Sequence, residues 1–382
     1  MADGADRTDR RDRIRSAARY DHRRLPCPPP TTAGLRPARH GALGPDQQRE
    51  AVGGGDGRRH RRHLPLWHAQ LHTPTRGAGT VRWRRWLGGG VAALLIVWTF
   101  LALLPAPVSF PHPYFTGHPR WRQPAPQIIA HRGGWGLWPQ HTLDGYRRAI
   151  ELGADVLELD VRRTSDGVMV VFHDRVVDHV TEAEGQVDSF TFAQLRSLDA
   201  GYDWSPADDG SHPFRGQGLL IPTLDEVLSE FAGQHMVIEL KTADAEAAQQ
   251  LCGELRRHAH EERAIVAAFA PEALTNFRQA CPEVATSASS AEMSKYWILH
   301  LLRLDVLSWP EFEALQVPET LGPLTIVDER FVDVSQGRGL PVQVWTIDDE
   351  ETMGRLFDLG VQAIMTRRPD QLARLLAARG QR

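Results

Sequence analysis

The chain has 382 residues, enough for one large domain or two ordinary ones, and its formal net charge of −4 is unevenly spread. Residues 1–85 carry 19 arginines against 8 acidic residues, a net of +11, which leaves −15 on residues 86–382. So acidic a body argues against broad nucleic-acid binding, and cysteines at 27, 252 and 281 match no zinc pattern and imply no disulfide framework, although two of them can pair.

Residues 1–80 are rich in Arg, Gly, Pro and His, contain no lysine, and show no sustained apolar periodicity. The expectation is a disordered, arginine-rich tail over 1–85, with a basic arm for nucleic acid or an anionic membrane surface as the functional alternative. The stretch VRWRRWLGGGVAALLIVWTF from Val81 reads as a membrane-targeting start, so translation that omits residues 1–80 is a second expectation. Residues 86–104, WLGGGVAALLIVWTFLALL, hold no charge, and 19 residues at 1.5 Å each approach the ~30 Å hydrocarbon layer. Arg82, Arg84 and Arg85 precede this run, and Trp83, Trp86 and Trp98 supply interface anchors. One transmembrane helix is expected here, with a buried helix of a soluble protein as the alternative. The basic flank puts the N-terminus inside a bacterial cytoplasmic membrane and the body outside, as a single-pass protein. Leu104-Pro105-Ala106-Pro107 is a poor cleavage site, so the helix is expected to stay attached. Residues 105–124, proline-rich, are expected to form an irregular stalk.

From residue 125 strand and helix patterns alternate. Apolar runs predict strands at 128–131, 156–161, 168–173, 236–241, 265–269, 284–287, 324–327, 342–346 and 362–366. Amphipathic runs predict helices at 143–152, 224–231, 245–258, 271–281, 350–359 and 369–378, with Thr223 or Asp225 as a cap and Gly153 and Gly360 as stops. This order is that of an α/β protein with a parallel sheet covered by helices, and its length suits a (β/α)8 TIM barrel. Nine strands are one too many, and 284–287 is the weakest. The runner-up is a doubly wound open sheet, but the first strand runs into His131-Arg132-Gly133-Gly134, which is not its glycine-rich phosphate loop.

The second strand poses a chemical question. Val156, Glu158 and Asp160 share one face, and Leu157, Leu159 and Val161 share the other. Two carboxylates near a core repel each other and are costly to desolvate. Either this is an edge strand with one wet face, or a hard cation offsets both charges. Other strand ends are equally polar: His131-Arg132, His173-Asp174, and Glu239 with Lys241 two residues later. In a parallel barrel these ends meet at one mouth.

The arrangement resembles the glycerophosphodiester phosphodiesterase family, in its membrane-anchored bacterial form. The resemblance rests on IIAHRGGWGLWPQHTLDGYRRAIELGADVLELDVRRTSDGVMVVFHD at 128–174, LDAG at 198–201, IPTLDEVL at 221–228, VIELK at 237–241, VQVWTIDD at 342–349 and GVQAIMTRRP at 360–369. It implies a TIM barrel over 125–382 with a small insertion between Asp174 and Gly218. It implies that Glu158, Asp160 and Glu239 bind one divalent cation, Ca²⁺ or Mg²⁺, that His131 and His173 are the acid/base pair, that Arg132 and Lys241 hold the phosphate, and that Trp345 lines the glycerol side. The implied reaction is metal-dependent hydrolysis of a glycerophosphodiester, through attack by the glycerol 2-hydroxyl and a cyclic phosphate, to sn-glycerol 3-phosphate and an alcohol. The chain departs from the family at Pro139-Gln140-His141-Thr142, where Pro-Glu-Asn-Thr is usual, at His179-Val180-Thr181, and at Thr366-Arg367, where Thr-Asp is usual. Two other readings are a lysophospholipase D-type enzyme at the membrane face, to which the stretch at 296–302 lends apolar surface, and a non-catalytic barrel that only binds phosphate esters.

Overall fold

The computed structural model describes residues 79–109, 111–117, 126–206 and 209–382. The tail expected over 1–85 lies outside these residues up to position 78. The described chain opens with helix α1 (Gly79–Leu103), so the last tail residues are helical, followed by the short α2 (Pro113–Gly117). Then come β1 (Gln127–Ala130), α3 (Leu143–Glu151), β2 (Val156–Arg163), β3 (Met169–Val171), α4 (Phe192–Arg196), α5 (Leu224–Glu230), β4 (His235–Leu240), α6 (Ala245–Arg257), β5 (Ala264–Ala267) and α7 (Pro271–Ala280). The C-terminal half adds β6 (Ala285–Thr286), α8 (Ser290–Leu301), β7 (Leu315–Pro318), β8 (Thr320–Leu321), β9 (Leu324–Thr325), α9 (Glu329–Gly337), β10 (Val342–Trp345), α10 (Glu350–Asp358), β11 (Ala363–Thr366) and α11 (Pro369–Ala378).

Eight strands pair in the order β6-β5-β4-β2-β1-β11-β10-β7, every neighbour parallel. Ser287 bridges Ala314 in parallel just beyond β6 and just before β7, which joins the two ends of the sheet. The result is a closed (β/α)8 barrel. Val156 packs inward with Ile129, Val237, Ile265 and Ala363, whereas Leu157, Leu159 and Val161 pack outward against the helices. Side-chain alternation therefore sends Glu158 and Asp160 into the barrel interior.

Several expected elements change place. The run at 168–173 is not a barrel strand: β3 pairs antiparallel with β2 and opens the insertion. The insertion therefore starts before Asp174, and its own small core takes in Val170, Phe172 and Ile221. The weakest candidate, 284–287, contains a true barrel strand. The run at 324–327 contributes instead to a two-stranded β8–β9 hairpin, and its place in the barrel is taken by β7. The helices α8 and α9 add to the predicted set, and capping by Thr223 at α5 is as expected.

Among the described residues no helix is long and apolar enough to cross a membrane. The stalk expected at 105–124 is not wholly irregular. Ser109 N donates to Arg338 O at 2.7 Å and the Arg338 guanidinium donates to Pro107 O at 3.1 Å. Beyond this strap, α2 places Tyr114 and Phe115 in the inner core with Val156 and Ile265, so the folded domain takes in residues before 125. Cys252 and Cys281 form a disulfide between α6 and the end of α7, with Cα atoms 5.6 Å apart.

Candidate active site

The site lies at the C-terminal ends of the strands, where a parallel barrel gathers its loops. After β1 the chain turns through His131-Arg132-Gly133, with Arg132 at φ 50 and Gly134 at φ 88. A side chain at Gly134 would meet Pro369 at 3.0 Å, so the tight turn needs glycine there. The turn points the Arg132 amide at Glu158, whose Oε2 accepts it at 2.7 Å, and sets His131 Nε2 3.9 Å from the same oxygen. Trp135 Nε1 and Thr346 Oγ1 each lie 3.4 Å from His131 Nδ1.

Asp160 lies one strand from Glu239 in register, since the two are Cα partners across β2 and β4. Lys241 Nζ sits between them, 2.9 Å from Asp160 Oδ1 and 2.6 Å from Glu239 Oε1. Asp160 Oδ2 accepts from His141 Nε2 at 2.8 Å and lies 3.7 Å from Arg132 Nε. His173, on the loop that follows β3, places Nδ1 2.6 Å from Asp174 Oδ1. Arg162 clamps this loop by donating twice to His173 O, at 2.9 and 2.7 Å. Trp345 ends β10 and meets Phe269 edge to face at 5.9 Å.

Burial drives the electrostatics. It pushes the Glu158 carboxyl well above its ordinary range, helped by the charge of Asp160, and it raises Glu239 for the same two reasons. Burial opposes ionisation of Asp160 too, but the hydrogen bond from His141 and the positive charges around it hold that carboxyl well below its usual range. Burial, then the Arg132 cation, lowers the His131 imidazole to about 3, and burial lowers His141 to about 4 against the pull of Asp160. His173 hydrogen-bonds Asp174 and lowers its carboxyl.

Six of the eight residues singled out from the sequence, His131, Arg132, Glu158, His173, Glu239 and Trp345, line one cavity of about 470 Å³. Asp160 and Lys241 lie against Glu239 at its wall. The other half of the cavity is apolar, with Phe269, Met293, Trp297, Leu321 and Ile326. The acidic set fits a hard cation chemically: it is all oxygen, and burial beside Asp160 disfavours the ionised forms of Glu158 and Glu239, which a bound cation would favour. Its oxygens are not gathered to one point, because the Lys241 ammonium occupies the gap between Asp160 and Glu239. Among the described residues, the three side chains that do converge are Cys252, Cys281 and Glu283, and there the two sulfurs are bonded to each other.

Sequence reasoning passed over His141 as a functional group. It lies between Asp160 and Tyr146, with Nδ1 2.8 Å from the tyrosine hydroxyl. Beside it Gln140 accepts from the Arg132 guanidinium at 2.9 Å. The signal was present in the departure at positions 140 and 141, but only the fold shows that both side chains turn toward the site.

Residues 131–371 match the family model described as the glycerophosphoryl diester phosphodiesterase family. The chain is 30% identical over 257 residues to a glycerophosphodiester phosphodiesterase of Bacillus subtilis, covering 63% of this chain and 83% of that one. It is 29% identical over 259 residues to a protein of the same name from Caldanaerobacter subterraneus subsp. tengcongensis, covering 66% of this chain and 98% of the other. Among solved structures it is similar to a phosphodiesterase of Oleispira antarctica in complex with the product sn-glycerol-3-phosphate, at 25% identity and a TM-score of 0.54, over 66% of this chain and 97% of that one.

Proposed function

Since the chain belongs to the glycerophosphoryl diester phosphodiesterase family and is a phosphoric diester hydrolase, we propose that it cleaves glycerophosphodiesters to sn-glycerol 3-phosphate and a free alcohol with paired histidine catalysis. The observation that carries this reading is the meeting of His131, His173, Arg132 and two carboxylates around one cavity at the barrel mouth. The product complex of the Oleispira relative supports the glycerol 3-phosphate half of the reaction.

His131 is neutral near pH 7, so its ring accepts the proton of the attacking hydroxyl. His173 gives a proton to the leaving alcohol, with Asp174 fixing its ring through Nδ1. The proton, the new P–O bond and the broken P–O bond then balance: the glycerol 2-hydroxyl attacks phosphorus, the head-group alcohol leaves protonated, and water opens the cyclic phosphate. Arg132 and Lys241 hold the phosphate oxygens, and Trp345 with Phe269 lines the approach. Glu158, Asp160 and Glu239 would hold a divalent cation, Ca²⁺ or Mg²⁺, whose charge offsets that of the phosphodiester.

The apolar half of the cavity favours one second reading, a lysophospholipase D-type activity in which Met293, Trp297 and Leu321 receive an acyl chain. One experiment decides between them. The purified full chain in detergent, with Ca²⁺ or Mg²⁺, is assayed against glycerophosphocholine and lysophosphatidylcholine. Higher kcat/KM on the deacylated substrate is expected, and faster release of choline from the lysolipid reverses the order.

The same proposal places the domain outside the cytoplasmic membrane, attached through 86–104. It is supported by the uncharged run, by the exposed Leu94, Ile96 and Phe100, and by the Cys252–Cys281 disulfide, a bond that persists in oxidising compartments. Protease added to spheroplasts should degrade the domain, and protection of the membrane-bound protein contradicts this placement.

A further inference from the structure

His141 does more than fill the core. It sits at φ 57, in the left-handed region that few side chains adopt, directly before the α3 cap at Thr142. Its ring is 3% exposed, and both nitrogens are engaged: Nε2 with Asp160 Oδ2 and Nδ1 with the Tyr146 hydroxyl, each at 2.8 Å. An ionised carboxylate only accepts hydrogen bonds, so Nε2 carries the hydrogen. In the neutral ring Nδ1 then accepts, and Tyr146, fully buried, donates to it.

The chain of contacts continues through the carboxylate. Asp160 turns its second oxygen, Oδ1, to Lys241 Nζ at 2.9 Å, and that ammonium meets Glu239 at 2.6 Å. Arg132 Nε is 3.7 Å from Oδ2, beyond hydrogen-bonding range, so His141 is the group that fixes this side of the carboxylate.

We propose that His141 is a positioning residue: with its ring held in place by Tyr146, it fixes the rotamer of Asp160 and thereby the place of Lys241 beside Glu239. The inference rests on the catalytic reading above and concerns how its anion- and cation-binding groups are held. It identifies a Tyr146–His141–Asp160–Lys241 line as part of the substrate-binding machinery of this chain.

The test uses the full chain in detergent with four proteins: wild type, His141→Ala, His141→Gln and Tyr146→Phe. Two quantities are read beside thermal stability, the split of KM and kcat on glycerophosphocholine and the affinity for Ca²⁺ measured by calorimetry without substrate. His141→Ala is expected to raise KM by ~10-fold or more and to change Ca²⁺ affinity by at least several-fold, because Asp160 loses its fixed donor. Tyr146→Phe, which removes only the hydroxyl that bonds His141, should move the same two quantities in the same direction by ~3-fold. His141→Gln, whose amide nitrogen reaches the place of Nε2, should recover most of both. The inference is overturned if folded His141→Ala keeps KM and Ca²⁺ affinity within twofold of wild type, or if Tyr146→Phe shifts only the melting temperature. Should His141→Ala fail to fold, the Tyr146→Phe and His141→Gln measurements decide alone. A wild-type chain that binds Ca²⁺ but does not cleave glycerophosphocholine defeats the catalytic reading and leaves the positioning result standing.

Discussion

Replacing Tyr114 with alanine should destabilise the barrel without touching its chemistry. Tyr114 is fully buried, and its ring meets Phe115 and His235 at centroid distances of 4.9 Å in each case. It packs with Val156, Ile265 and Ala285, residues of the inner core, while the candidate site groups His131, Glu158 and Glu239 sit toward the C-terminal ends of the strands. Truncating a large buried aromatic costs about 3–5 kcal/mol, and in a domain of this size each kcal/mol lowers Tm by about 2–4 °C, so a fall of roughly 6–20 °C is expected. The assay is differential scanning calorimetry of Tyr114→Ala against wild type, with kcat measured well below both transitions. The expected kcat per folded molecule is unchanged within about twofold, since His131, His173 and the carboxylates lie at the C-terminal ends of the strands. A Tm shift below about 2 °C would refute the packing argument and return residues 113–117 to the status of a loose stalk.

Three further outcomes are expected. His173→Ala should reduce turnover ~10²–10⁴-fold at saturating metal while leaving Ca²⁺ affinity near wild type; retention of more than about a tenth of kcat sinks the paired-histidine mechanism. Glu239→Gln should weaken Ca²⁺ binding, with part of the activity restored by excess metal, yet cost little stability because burial already disfavours the ionised form; unchanged affinity by calorimetry removes Glu239 from the ligand set. In metal-free buffer His131 and His141 should contribute a loss of stability as pH falls below about 6.5, because they stay neutral when folded, at about 3 and about 4, whereas the unfolded chain protonates them, and the raised carboxyls of Glu158 and Glu239 oppose that loss. Denaturant unfolding at pH 7 and pH 4.5 measures this, and a slope that does not flatten in His141→Asn assigns the loss to other groups.

The half of the fold that carries the candidate site was legible because its signals are local. Glu158 and Asp160 interrupt an apolar strand with period two, so their common inward face follows from the pleat alone, and Glu239 with Lys241 repeats the pattern on β4. The rest depended on long-range placement. β7 reads Leu-Gln-Val-Pro, and a glutamine and a proline argue against a core strand, yet Gln316 turns into the barrel and bonds Gln343 at 2.8 Å. The run from Leu324 is apolar enough for a barrel strand, but Leu321 and Leu324 are exposed on a hairpin beside the cavity. His173 looked like the end of a barrel strand and reaches the site from an antiparallel hairpin instead. Tyr114 and Phe115 sit in a proline-rich stretch whose sequence has no helical period, so only tertiary packing marks them as core. Cys252 and Cys281 lie 29 residues apart, and their pairing is set by how α6 packs on α7. His141 needed both levels, a local departure from the family pattern and a fold that carries it to Asp160.

The most direct test of the account is a product analysis. The purified full chain, with glycerophosphocholine and either Ca²⁺ or Mg²⁺, is sampled over time for choline, sn-glycerol 3-phosphate and glycerol 1,2-cyclic phosphate, with chelator-treated enzyme in parallel. The account predicts equal amounts of choline and sn-glycerol 3-phosphate at completion, cyclic phosphate only as a passing species, and no turnover after chelation until metal is returned. Release of phosphocholine and glycerol instead, or full activity in chelator, contradicts it.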